Sequence, residues 1–246
     1  MTQHAWQSMD AGYRGDFGAV NCSEWAQATG LELNFLPWDI GESQPALSEL
    51  ERSGQIRSEV LDIGCGLGYH ALFLAERGYR VLGLDIAPAA IERAQAQAQA
   101  VGLDVEFVVA DATTFEGYEG RFTTVIDIGL YHGLTAQQRA AYLIAVHHSC
   151  QPVARLHMVC ISDATPLNFV NPYGMNETDL RDSLTSAPGW AIHSLERTTL
   201  TTAFTRHYIE QQAGSAARDA FDWTRLVYDQ QGRLIVPAWM ATAARL

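Results

Sequence analysis

The residues best suited to chemistry lie in and after the stretch Asp62-Ile63-Gly64-Cys65-Gly66-Leu67-Gly68-Tyr69-His70. Glycines at alternate positions let a chain turn sharply and let a ligand touch bare peptide, so the stretch predicts a strand, a tight loop and a helix start. A dinucleotide fingerprint needs a further glycine where Tyr69 stands, and no cation occurs between Arg57 and Arg77 to meet a pyrophosphate. Asp85, at the end of the next apolar run, can accept hydrogen bonds from two ribose hydroxyls. These residues point to a ligand with a ribose and without phosphates. Every predicted core strand ends in an aspartate: Asp62, Asp85, Asp111, Asp127 and Asp163. In an open parallel sheet that edge binds ligands, and five carboxylates suit one rich in hydroxyls and amines.

The ordered set Asp62-x-Gly64-x-Gly66-x-Gly68, then Asp85, then Ala110-Asp111-Ala112 resembles the S-adenosylmethionine site of the Rossmann-like, class I methyltransferases, over about residues 58 to 163. The segment Trp38-Asp39-Ile40-Gly41 to Pro45 resembles the one that precedes the core in small-molecule methyltransferases of the thiopurine and halide/thiol type, where it folds over the cofactor. The resemblance implies S-adenosyl-L-methionine as cofactor, with S-adenosyl-L-homocysteine as product. It implies a cofactor shell of Trp38, Asp62, Gly64, Cys65, Gly66, Gly68, His70, Asp85, Ile86, Asp111, Ala112 and Asp127. Cys65 is expected there as a small residue that fits the loop, not as a nucleophile.

Similar enzymes carry an Asp-x-x-x-(Tyr/Phe)-His run after the fourth strand, matched here by Asp127-Ile128-Gly129-Leu130-Tyr131-His132. This implies His132 and Tyr131 as catalytic residues: a histidine can take a proton near neutral pH, and a tyrosine can wall or orient an acceptor. Asp39, Tyr131, Phe169 and Tyr173 are the candidate acceptor contacts. Phe169 and Tyr173 could equally fill a surface seam. The expected reaction is methyl transfer to an oxygen, nitrogen or sulfur of a small aromatic or heteroaromatic molecule. A halide or thiol methyltransferase, a protein that binds the cofactor without methylating, and a nucleotide-dependent oxidoreductase are the competing readings.

The elements that must position these residues are legible in the spacing. Strands are expected at Val60 to Ile63, Arg80 to Leu84, Val105 to Val109, Thr123 to Ile126, Arg155 to Ile161, Trp190 to Phe204 and Leu234 to Ala243. Helices are expected from Tyr69 to Arg77, from Pro88 to Val101 before Gly102, and from a Thr135 cap to about His148, with Asn176 capping a short helix through Asp179. Arg206 to Asp222 is polar and helix-prone. Before the core, Ser23 to Gln27 and a segment opened by Pro45 and ended by Gly54 read as helices. The expected fold is α/β: a doubly wound, seven-stranded, mostly parallel sheet with one antiparallel strand. Residues 1–55 would form an N-terminal helical cap on a single Rossmann-like domain, 56–246.

Composition narrows the partners. The net charge is −12, and all 16 basic residues are arginines, with no basic run. Repulsion disfavours a nucleic acid and favours a small molecule. The four cysteines, Cys22, Cys65, Cys150 and Cys160, form no C-x-x-C pair, so neither a metal site nor a disulfide framework is expected. No run of 18 apolar residues occurs and residues 1 to 14 lack a signal-peptide core, which gives a cytoplasmic expectation and no membrane partner.

Overall fold

A computed structural model of the chain describes residues 3–17, 32–165, 174–212 and 223–246. The sheet runs β3 (Glu106–Val109), β2 (Val81–Asp85), β1 (Val60–Ile63), β4 (Phe122–Ile128), β5 (Cys150–Ile161), β8 (Arg233–Arg245), β6 (Trp190–Thr205). The five strands β1 to β5 pair in parallel, and β8 runs antiparallel to both β5 and β6. The expected seven strands and their one antiparallel member are present. An eighth, β7 (Val227–Tyr228), pairs with β8 and is too short to leave a periodic signal.

Alternate residues of the central strands go to opposite faces. Val60, Val81 and Ile126 pack with Leu47 and Leu50 of α2 (Pro45–Arg52), Ala71 and Leu74 of α3 (Tyr69–Glu76), and Ile91, Ala94 and Ala98 of α4 (Pro88–Val101). Leu61, Ile63, Leu82, Leu84 and Val125 pack instead with Tyr142, Leu143 and Val146 of α5 (Ala136–Ser149) and Leu180 and Leu184 of α6 (Glu177–Ser186). Every residue of β1 and β2 is buried, as in a sheet covered on both faces.

Local chemistry sets the helix ends. Pro88 opens α4, and Gly102 closes it at φ +69°. Thr135 and Gln138 form a reciprocal capping box at the start of α5. The Asn176 side chain accepts from the Asp179 amide at the start of α6.

Two further features differ from expectation. β5 begins at Cys150, not Arg155; Pro152 and a left-handed Val153, across a register shift opposite Phe122 and Thr124, break the alternation that would mark its first residues. A helix α1 (Gln3–Tyr13) was not foreseen. Only the first half of the 206–222 segment is described, as α7 (Arg206–Gln212). The helix expected at Ser23 to Gln27 lies outside the described residues, as do Phe169 and Tyr173.

Candidate active site

The chain winds outward from β1 to β3 and then returns to the other side of β1 as β4, so the strand order reverses between β1 and β4. A crevice opens at such a point beyond the carboxyl ends of the strands. The glycine loop is tied down there by the Gly64 and Cys65 amides, both donating to the Leu84 carbonyl. A Cβ added to Gly64 would lie 2.9 Å from Leu130 Cβ, so this loop touches the segment after β4. A Cβ on Gly68 would lie 2.7 Å from the Phe107 ring and 3.0 Å from Ala94, which makes that glycine a packing requirement of α3 and α4. Gly66 differs: at φ +52° its bare face meets, among the described residues, the tip of one side chain, the Tyr13 hydroxyl at 3.0 Å. Cys65 is buried and its thiol is pushed well up by burial, consistent with a filler.

The five strand-end aspartates divide by environment. Asp62, Asp85 and Asp127 are buried, whereas Asp111 and Asp163 are exposed. Asp85 accepts the Gly66 amide on one oxygen and the Ala87 amide on the other, both at 2.9 Å, and burial still raises its pKa. Asp62 is 1% exposed, one of its oxygens has no partner, and burial pushes its pKa up to about 8. Asp127 Oδ1 accepts the Leu130 and Tyr131 amides at 3.0 and 3.2 Å, and burial raises it to about 6 against the opposing effect of the Tyr142 hydroxyl beside this carboxylate. Asp111 folds back on the amide and hydroxyl of Thr113 beside the buried Ala112. Ile86, between Asp85 and Ala87, is half-buried. His70, in the first turn of α3, has a buried Nε2 without partner and is held down to about 4 by burial.

The residues before the core come down on this loop. Trp38 Nε1 donates to the Tyr13 hydroxyl at 3.0 Å, with the two rings edge to face. Asp39 accepts the Gly41 amide, and its charge reaches Tyr13 and Tyr69, which puts it on the glycine-loop side of the site. The segment is strapped down: Gln44, buried, makes two hydrogen bonds to the Thr201 backbone, and Arg233 pairs with Glu42 at 2.6 Å. From α1, Asp10 Oδ1 accepts the Ala89 amide at the start of α4, and Arg93 donates to the Tyr13 carbonyl. Sequence reasoning missed Tyr13. The signal was present, since Met9, Tyr13 and Phe17 recur every four residues and share one cluster with Leu36 and Leu67.

After β4, residues Tyr131–Gly133 form one 3-10 turn. Tyr131 is fully buried, with its hydroxyl 2.5 Å from Ser183 of α6 and its ring against Tyr142. His132 carries a buried, unpartnered Nδ1; burial first, and the Arg139 charge second, lower its pKa to about 4.

A family model described as a methyltransferase domain matches residues 60–153. The chain is 40% identical over 149 residues to 2-heptyl-1-hydroxyquinolin-4(1H)-one methyltransferase of Mycobacteroides abscessus, across 59% of this chain and 65% of that protein. It thus spans just under two thirds of that relative's length. It is 31% identical over 120 residues to an uncharacterized methyltransferase of Schizosaccharomyces pombe, across 49% of this chain and 83% of that one. The fold also superposes, with TM-score 0.74 and 32% identity, on the solved structure described with the conversion of a disulfide bond into a thioacetal group during echinomycin biosynthesis. That match covers 97% of this chain and 92% of the other. The chain belongs to the class I S-adenosylmethionine-dependent methyltransferases.

A methyltransferase of this class must hold a cationic, ribose-bearing cofactor, and the residues present fit it. Among the described residues, a buried oxygen of Asp62 and the Nε2 of His70 lack partners. Buried polar atoms rarely stay unpaired, and a ligand with an ammonium, a sulfonium and hydroxyls would supply what these lack. Among the described residues, no group of acidic, histidine and cysteine side chains could hold a metal ion, and no helix is long and apolar enough to cross a membrane.

Proposed function

We propose that this methyltransferase moves a methyl group from S-adenosylmethionine to a heteroatom of a small heteroaromatic molecule, with a hydroxylated nitrogen heterocycle as the leading acceptor class. The observation that carries the reading is the contact of Gly64 with Leu130, which sets the Tyr131–His132 turn against the glycine loop at the strand-order reversal. The relative that acts on a hydroxyquinolone supports the acceptor class.

When bound, the cofactor supplies the methyl group as an electrophile. Asp85, which accepts the Gly66 and Ala87 amides, would hold the ribose hydroxyls. Gly64, Cys65, Gly66 and Gly68 offer backbone, and Asp62 and His70 would meet the polar end of the cofactor with their unpartnered atoms. Asp111, Ala112 and Ile86 would border the base. Asp127 orders the turn through two amides. Trp38 and Tyr13 close the site from above, excluding water, and Asp39 contributes to that cover. Tyr131 backs the acceptor. His132, neutral at pH 7, orients the acceptor and accepts its proton. Chemistry of this kind rests mainly on holding two ligands in line. A cytoplasmic location and an acceptor other than nucleic acid belong to the same reading, supported by the net charge of −12 and the absence of any basic run.

The test is transfer of label from methyl-labelled cofactor to a panel of 2-heptyl-1-hydroxyquinolin-4(1H)-one, simple phenols, aryl thiols and iodide. Label on the N-hydroxy heterocycle with the highest kcat/KM is expected. Preference for thiol or iodide would replace the acceptor class, and tight cofactor binding without transfer to any of them would make the chain a non-methylating member.

A further inference from the structure

Arg139 lies in the first turn of α5, directly after the Tyr131–Gly133 turn in the chain. Its Nε donates to the Tyr131 carbonyl at 3.2 Å and its Nη2 to the His132 carbonyl at 3.0 Å. The guanidinium carbon stands 5.5 Å from the centre of the Tyr131 ring. Among the described residues these bonds go to backbone carbonyls, and no ion pair engages this guanidinium. A planar, rigid fork that binds two consecutive carbonyls fixes both peptide units at once, which a flexible ammonium does poorly. Its own base is fixed too, because α5 starts in the Thr135–Gln138 capping box and its Tyr142 meets the Tyr131 ring at 5.3 Å.

We propose that Arg139 is a positioning residue for methyl transfer, clamping the Tyr131–Gly133 turn so that His132 and Tyr131 meet the acceptor in one geometry. The proposal rests on the reading of that turn as the acceptor wall. Arg139 touches backbone, not substrate, and acts through the two side chains it sets. It also places a fixed positive charge beside His132. The other titratable groups packed round the turn are Asp127 from β4, Cys160 from β5, Tyr131 itself and Tyr142 from α5, none of them cationic. Arg139 is therefore the charge that, after burial, opposes protonation of His132.

Two variants separate clamp from charge: Arg139→Gln removes both, and Arg139→Lys keeps the charge and loses the fork. Three quantities are read for each, namely turnover of 2-heptyl-1-hydroxyquinolin-4(1H)-one and 4-nitrophenol, calorimetric affinity for S-adenosylmethionine, and the NMR titration of His132 in the cofactor-free protein. Arg139→Gln should lower kcat by about 10- to 100-fold, the scale of a misplaced reacting group. Cofactor affinity should stay within about twofold, and the His132 titration should move up. Arg139→Lys should also lose turnover while His132 titrates as in wild type, and it carries the test if the glutamine variant does not fold. Unchanged kcat in both variants, or an unmoved His132 titration in Arg139→Gln, overturns the proposal. If His132→Ala and Tyr131→Phe are themselves fully active, the reading of the turn fails first and takes the proposal with it. If those two are impaired and the Arg139 variants are not, only the proposal falls.

Discussion

Asp62→Asn isolates the least expected property of the site, a buried carboxylate with an unpartnered oxygen. Burial is the largest cause of its raised pKa, the neighbouring Asp85 and Asp127 add to it, and the Ala71 amide opposes it. The folded value of about 8 stands above the ordinary 3.8, so the native chain binds the proton more tightly than the unfolded one. Stability from this group is then fully present below the unfolded value and is lost as pH rises to the folded value. The slope is about 1.4 kcal/mol per pH unit across that window, or on the order of 5 kcal/mol in all. Asparagine has the same shape and does not titrate. Whatever constant cost its amide carries, the stability difference between Asp62→Asn and wild type should grow in favour of the variant from pH 5 to pH 8. At about 2 to 4 °C per kcal/mol for a domain of this size, the relative Tm should move by roughly 10 °C. Scanning calorimetry of the cofactor-free proteins at four pH values measures it.

Binding supplies the converse. A cationic ligand beside Asp62 relieves the ionised form, so the Tm gain from saturating S-adenosylmethionine should rise with pH in wild type and stay flat in Asp62→Asn. Parallel Tm curves for the two cofactor-free proteins between pH 5 and pH 8 would refute the argument that this carboxylate is held uncompensated.

Three further outcomes follow from the same geometry. Asp85→Asn should weaken S-adenosylmethionine binding by about 1.5 to 3 kcal/mol, the range for hydrogen bonds to a charged group, and an unchanged Kd would remove Asp85 from the ribose site. Gly66→Val places a β-branched side chain at φ +52° against the Tyr13 hydroxyl, so calorimetry should detect no cofactor binding while circular dichroism stays native; retained affinity would count against the glycine loop as the cofactor cradle. His132→Ala should lower kcat by about 10² to 10⁴ with a weakly acidic phenol, far less with a thiol already ionised at the assay pH, and leave cofactor affinity unmoved; full activity with every acceptor would return His132 to a structural role.

The fold was legible because its signals are local. Alternation along the strands, Pro88 and Gly102 around α4 and the Thr135 cap each act within a few residues, and the structure follows them closely. What stayed hidden depends on contacts distant in sequence. Helix α1 mixes polar and apolar residues and gains its place from Asp10 on Ala89 and Tyr13 over Gly66, about 80 and 50 positions away. Arg139 carries no signal in the sequence, since its partners are two carbonyls of the preceding turn.

The aspartates show the same division most sharply. Five stand at strand ends and look alike as letters, yet two are exposed and three are sealed in. Which oxygens remain unpaired follows from how far each loop folds back: Asp111 satisfies itself on Thr113, Asp85 bridges two amides, and Asp62 leaves one oxygen with nothing. Sequence can name carboxylates at a ligand-binding edge. Only the packing decides which of them carry a desolvation cost that a bound cation would remove, and on the proposed reading that cost would couple stability, pH and cofactor affinity at Asp62.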